Sequence, residues 1–228
     1  MRPVRLLAAI ALGTAALGAA PAGAVNIVTN GSFESGFAGW TLDAAPDFYD
    51  AVPIFYNSAT PYPTGAFGEA VPPNNAPTNS TDPVGERAAY FVSDFADDET
   101  LSQTIFLTAG VYQIGFSAYL PANGFSNVGD ASFVGSIAGV VLASFDVSTQ
   151  IPTTWKTYAG STTIPIDGNY LIEFIFDTNL SPSKDVVIDQ VYVIAGNPPI
   201  GVPEPASVSL LVAALLGAGL ARRARRRA

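Results

Sequence analysis

The stretch VYQIGFSAYL, residues 111–120, decides the fold. Tyr112, Ile114, Phe116, Ala118 and Leu120 are all apolar, whereas Val111, Gln113, Gly115, Ser117 and Tyr119 are mixed. A period of two places the first set on one face of a β-strand, turned to a core. A helix would scatter the same five residues around its axis.

The flanking sequence repeats the signal. Residues 101–108 (LSQTIFLT) alternate in part, and Ala109-Gly110 supplies a turn into 111–120. Residues 88–95 (AAYFVSDF) are rich in β-formers. Residues 131–147 read as one or two strands, with Gly135 and Gly139 marking a bulge or a close approach. Residues 154–159 and 162–166 read as two short strands, followed by the hairpin dipeptide Asp167-Gly168. Residues 170–177 (YLIEFIFD) and 186–194 (VVIDQVYVI) are the strongest strands. This succession predicts an all-β, antiparallel β-sandwich of jelly-roll topology over residues 25–197, with helices only at the two termini.

Residues 46–83 stand apart. Eight prolines there exclude a central strand, and Phe48, Tyr49, Phe55, Tyr56, Tyr62 and Phe67 argue against disorder. An ordered excursion packed across the sandwich is expected. Its tyrosines 49, 56 and 62 are the densest supply of rings on which a sugar could stack.

Composition narrows the chemistry. With no cysteine there is no disulfide and no thiolate, and with no histidine no imidazole base. A carboxylate pair of the glycosidase kind is the remaining catalytic option, and no motif marks one, so no enzyme is expected. Residues 25–200 hold three basic residues (Arg87, Lys156, Lys184) against eighteen acidic ones, a net charge of −15. Such a surface repels nucleic acid.

The ends read as addresses. Arg2 and Arg5, the apolar run 6–20 and Ala22-Gly23-Ala24 form a secretory signal peptide over residues 1–24, cleaved between Ala24 and Val25. At the other end, Val202-Pro203-Glu204-Pro205 precedes an apolar run over 206–221 and an Arg-rich tail over 222–227. Sixteen residues make a helix of about 24 Å, slightly short of a bilayer's hydrocarbon core. The arginines would hold that end in the cytoplasm and leave the body outside.

These three features in fixed order, within residues 198–228, resemble the PEP-CTERM sorting signal, a tail also labelled ice-binding protein C-terminal. The resemblance implies processing by an exosortase of a Gram-negative bacterium, export across the inner membrane, and an association with exopolysaccharide and biofilm. It implies a membrane anchor before processing and residence at the outer surface or in the matrix afterwards. A permanent anchor would share the same topology. Ice binding would favour a repeated Thr array, and Thr153-Thr154 and Thr162-Thr163 form none.

A second resemblance covers the body. Asn26 to Gly36 (NIVTNGSFESG), with Trp40 behind it, is similar to the opening of galactose-binding-like jelly rolls, carbohydrate-binding modules among them. Trp155-Lys156-Thr157-Tyr158, Asp167-Gly168 and Val187-Ile188-Asp189-Gln190-Val191 resemble their closing strands. Both tryptophans read as core or rim residues. The resemblance implies a structural Ca2+ held by the Ser32 carbonyl, Glu34 and Asp189. The residues themselves allow this or a plainer reading, in which Asp189 accepts backbone hydrogen bonds and Glu34 is solvated. Gln190, where the family often has a second Asp or Asn, keeps an oxygen and loses a charge. The acidic run 94–99 and the polar groups at 177–179 and 183–185 read as solvated loops.

The function expected is a non-catalytic module binding extracellular polysaccharide. The alternative is a structural surface or matrix protein without a specific ligand.

Overall fold

The computed structural model describes residues 25–44, 50–76, 78–124 and 131–196. The signal-peptide segment, Tyr49 and the sorting segment from Val202 onward lie outside the described residues. Among the described residues no helix is long and apolar enough to cross a membrane.

The described chain is an antiparallel two-sheet sandwich of ten strands and one 3-10 turn. In chain order they are β1 (Thr41–Asp43), β2 (Val52–Phe55), β3 (Arg87–Phe91), β4 (Glu99–Leu107) and β5 (Gly110–Tyr119). There follow β6 (Ser132–Ile137), β7 (Val140–Asp146), β8 (Lys156–Ile164), β9 (Gly168–Asp177) and β10 (Val186–Ala195). One sheet runs β1-β4-β9-β6-β7 and the other β2-β3-β10-β5-β8. From β3 onward the chain changes sheet at every connection except the β6–β7 hairpin, consistent with the jelly-roll path expected.

The core is what the alternation of β5 requires. Tyr112, Ile114, Phe116, Ala118 and Leu120 all lie in the buried cluster between the sheets. There they meet Leu101, Ile105 and Leu107 of β4 and Ile172, Phe174 and Phe176 of β9. Phe116 packs edge-on to Phe174 with ring centroids 4.9 Å apart, a favoured aromatic geometry. Gly135 is required in this packing, because a Cβ there would lie 2.6 Å from the Phe116 ring.

The second face of β5 is buried from Gly115 onward, while Val111 and Gln113 on it are exposed. The 46–83 segment contributes the edge strand β2, where Pro53 is tolerated, and then covers the outer face of the β2-β3-β10-β5-β8 sheet. Ile54, Tyr56, Ala66 and Val71 form a second apolar cluster with Tyr90, Tyr119, Trp155 and Val187. This two-sided cover explains why every residue from Val186 to Ile194 is buried.

Two expectations are corrected here. Residues 154–159 and 162–166 are not two strands: β8 runs unbroken, in register with β5 from Lys156↔Ala118 to Ile164↔Gly110. Gly160 does not interrupt it but makes room for the Leu142 side chain, 3.0 Å from where a Cβ would stand. The polar groups read as solvated loops are in part interior: Glu99, Thr178, Ser183, Lys184 and Asp185 are buried. Glu99 accepts the Ala51 N–H, and the Lys184 ammonium donates to the Ala122 carbonyl at 3.4 Å.

Candidate functional site

The opening turn is locked onto β10. Asn30 organises it, donating to the carbonyls of Gly36 (2.8 Å) and Ala38 (3.2 Å) and accepting from Ser35 N–H at 3.0 Å. The Val191 N–H donates to the Gly31 carbonyl at 2.9 Å, and a Cβ on Gly31 would sit 2.1 Å from the Val191 oxygen. Only glycine permits that approach. Asn26 adds two bonds, donating to the Val191 carbonyl at 2.9 Å and accepting from the Val193 N–H at 3.0 Å. First and last segments are therefore neighbours, with Ser32 buried and Glu34 half-buried in the turn that docks on β10.

Glu34 is not simply solvated. Its Oε1 accepts the N–H groups of Glu86 (2.9 Å) and Arg87 (2.8 Å). Its carboxyl carbon lies 2.0 Å from where a Cβ on Gly85 would be, and Gly85 has φ +68°. Space and backbone conformation both demand glycine there.

Asp189 sits where the β10–β5 register shifts, and Gln190 beside it has φ +56°. That irregularity buries both side chains completely. Asp189 Oδ1 accepts the Gln190 N–H at 2.6 Å, and Oδ2 accepts the Tyr56 hydroxyl. Burial pushes the Asp189 carboxyl well above the usual range, the bonds from Tyr56 and Gln190 pull it back, and the charges of Glu34 and Asp82 push it up further. Burial, then the Asp189 charge, likewise raises the Tyr56 phenol. Gln190 Nε2 donates to the Pro83 carbonyl at 3.0 Å, while its Oε1 is buried without a hydrogen-bond partner.

The Glu34 charge reaches Asp189, and Gln190 beside Asp189 carries an orphaned amide oxygen. Among the described residues no group of three Asp, Glu, His or Cys gathers as a metal site. The oxygen set of Glu34, Asp189, Gln190 Oε1 and nearby carbonyls nevertheless fits a hard cation, which accepts carboxylate and carbonyl oxygens alike.

A second set of polar groups ties down the cover. Val52, Tyr90, Val187 and Tyr119 are cross-strand partners in one row, and Trp155 follows at its end. Each ring's donor is satisfied: Tyr90 by Asp185, Tyr119 by Glu69 Oε1 (3.1 Å) and the Trp155 indole by the Pro72 carbonyl (2.9 Å). Glu69 Oε2 also accepts the N–H groups of Ala122 (2.7 Å) and Asn123 (3.3 Å). Burial lifts the Asp185 carboxyl to about 8, against the pull of the Tyr90 bond and with a push from Asp94 and Glu69. Burial and the Glu69 bond lift the Tyr119 phenol to about 12.

The cover stops short of the sheet's far side and leaves a cleft of about 610 Å³. Trp155 and Tyr192 line it together with Thr78, Asn79, Lys156 and Thr157. Gly115 makes the position of Tyr192 possible, since a Cβ there would be 2.5 Å from the phenol oxygen. Asn79 Nδ2 donates to that oxygen at 3.4 Å.

The tyrosines expected as sugar platforms fare differently. Tyr56 is buried and its hydroxyl serves Asp189, which corrects the reading of it as an exposed ring. Tyr62 is half-buried and stacks on Phe67, centroids 5.9 Å apart. Nothing local in the sequence marks Asn79, Lys156 and Tyr192, which meet only across the sheet.

Comparison with protein-family models matches none, and comparison with curated proteins matches none. Among solved structures the chain is similar to TmCBM61 in complex with β-1,4-galactotriose. That match has a TM-score of 0.49 and 22% identity over 75% of this chain and 99% of that one. It is also similar to a family 16 carbohydrate-binding module, with TM-score 0.41, 14% identity and coverage of 74% and 99%. A third similarity is to the K1 cleaved adhesin domain of Lys-gingipain from Porphyromonas gingivalis W83. There the TM-score is 0.42 and the identity 15%, over 72% of this chain and 96% of that one.

Proposed function

We propose that the described domain is a non-catalytic polysaccharide-binding module of an exported, exosortase-sorted surface protein. The cleft beside Trp155 carries this reading. It gathers an amide, hydroxyls and Lys156, able to meet a sugar's oxygens, around the buried rings of Trp155 and Tyr192. A concave, largely apolar site with a few convergent polar groups is the usual form of a small-ligand site. A glycan array probed with the exported protein tests it. Bound glycan should be lost in Asn79→Ala and Lys156→Ala without a change in melting. Binding to no glycan, or binding that both variants retain, would overturn the reading.

The opening turn and β10 would hold a structural Ca2+ through Glu34, Asp189 and the Ser32 carbonyl. The ion would supply the positive charge that no basic side chain brings to Asp189. Gln190, whose buried amide oxygen has no hydrogen-bond partner, would contribute the oxygen that an acid provides in the family. Here the chain's own residues pin the two ends of the domain together and exclude water from the Asp189 carboxyl.

One observation favours the alternative, a structural surface protein. Tyr56 and Tyr62 are spent on packing rather than displayed.

A further inference from the structure

Residues 25–200 carry eighteen acids against three bases, so surface without an acid is scarce. Two of the bases serve the fold. Lys184 is buried and donates to the Ala122 carbonyl, and the half-buried Arg87 guanidinium lies 4.1 Å from the Phe55 ring centroid. Of the three, Lys156 alone is exposed. Its ammonium stands 4.7 Å from the Tyr158 ring centroid and enters no ion pair among the described residues. Lys156 borders two hollows at once, the cleft of about 610 Å³ and a smaller one of about 290 Å³, which also share Trp155. No acid lines either of them. The cleft adds the neutral groups of Thr78, Asn79 and Thr157, and the smaller hollow those of Gln150 and Thr154. A hollow of about 510 Å³ on the other sheet is the opposite case, with Asp146 and Asp177 in its lining and no base.

We propose, on the reading that this cleft is the glycan site, that the bound glycan is acidic and sets its anionic substituent on the Lys156 ammonium. Neutral amides and hydroxyls serve any sugar hydroxyl alike. An ammonium with no carboxylate of its own adds a preference, because its hydrogen bonds to an anion are stronger than those to a neutral oxygen. Lysine is a compact point charge on a flexible stem, so a carboxylate or a sulfate satisfies it equally. The acidic body repels a polyanion at long range, but that repulsion is screened beyond about 8 Å at physiological ionic strength, whereas contact with Lys156 is not. The same repulsion works against the hollow that carries Asp146 and Asp177. The two hollows that meet at Trp155 and Lys156 leave room for sugars on either side of the charged unit.

Matched oligosaccharides on one array separate the charge from the sugar. Uronic-acid oligosaccharides stand beside their methyl esters, and sulfated galactan oligosaccharides beside desulfated ones. The exported protein should bind the charged member of one pair about fivefold more tightly, the upper end for an ion pair open to water. Discrimination in the first pair identifies the substituent as a carboxylate, and in the second as a sulfate. Lys156→Gln, which keeps a donor and drops the charge, should erase that discrimination. Lys156→Arg should retain it, and both variants should melt like the parent. Charged and neutral members bound alike, or a preference that Lys156→Gln retains, would overturn the acidic assignment and leave the polysaccharide reading standing. An array on which nothing binds would overturn both.

Discussion

Replacing Tyr56 with Phe removes one oxygen atom and leaves the ring. That oxygen is the donor to Asp189 Oδ2, on a carboxylate with no exposure to solvent. Its other oxygen is already committed to the Gln190 N–H. The variant therefore strands one carboxylate oxygen in the interior. A hydrogen bond contributes about 0.5–1.5 kcal/mol net, and leaving a buried acceptor unsatisfied costs about 1–3 kcal/mol. We expect a loss of about 2–3 kcal/mol, the ring's own packing on Trp155 at 6.2 Å being retained. For a domain of this size, that corresponds to a fall in Tm of roughly 5–10 °C. The assay is thermal melting by circular dichroism in a chelator, so that no bound cation compensates. A Tm within about 1 °C of the parent would show that Asp189 finds its stabilisation elsewhere, and would refute the reasoning.

Other outcomes follow from the same geometry. In the folded state Asp185 keeps its proton up to about pH 8, whereas the unfolded chain releases it near pH 4. Between those values the native state binds the extra proton, so stability in chelator should fall as pH rises across that window and then level off. Asp185→Asn should flatten the fall, and an unaltered profile would count against this role. Gly115→Ala forces a methyl to within 2.5 Å of the Tyr192 phenol oxygen and 2.7 Å of the Tyr158 carbonyl. It should cost about 1–3 kcal/mol in a urea titration, and a neutral result would mean that β5 can shift. Millimolar Ca2+ should raise the Tm, by about 2.7 kcal/mol of stability at a hundredfold excess over Kd, and Mg2+ should substitute poorly. Asp189→Ala should abolish the calcium dependence, and a Tm indifferent to chelator would dispose of the ion. Intact mass of surface-extracted protein should begin at Val25 and lack Arg222 to Arg227. Retention of those arginines would mean a permanent anchor.

The fold was legible where one face of a strand alone meets the core. β4 and β9 alternate in burial, whereas β5 does so only as far as Ile114, beyond which the cover buries its other face as well. Alternation fades in β10 because the cover buries its second face, and the run of apolar residues at 186–194 is the local trace of that. β8 was split in two because Gly160-Ser161 resembles a break, whereas nine continuous partners on β5 override local propensity. The proximity of Glu34 to Asp189 came from a resemblance and not from spacing. The partner of Asp189 lies 133 residues away in Tyr56, and no local pattern encodes such a meeting. Glu99, Lys184 and Asp185 carry no local sign of burial, since charged residues are usually solvated. Their burial depends on strands and loops contributed from elsewhere in the chain.

The position of β10 also sets the order in which this domain can fold. It is the last strand in sequence and the middle strand of its sheet, between β3 and β5. The opening turn docks onto the same strand, through contacts spanning 165 and 167 residues. The two halves of that sheet cannot join, and the opening turn lacks its longest-range bonds, until β10 has been made. Contacts of such sequence separation fold slowly, because the whole intervening chain must be ordered before they are rewarded. During synthesis the domain is therefore held open by its own topology. An open chain is the form in which a polypeptide can be threaded through a narrow channel, and the completed sandwich can then assemble on the far side.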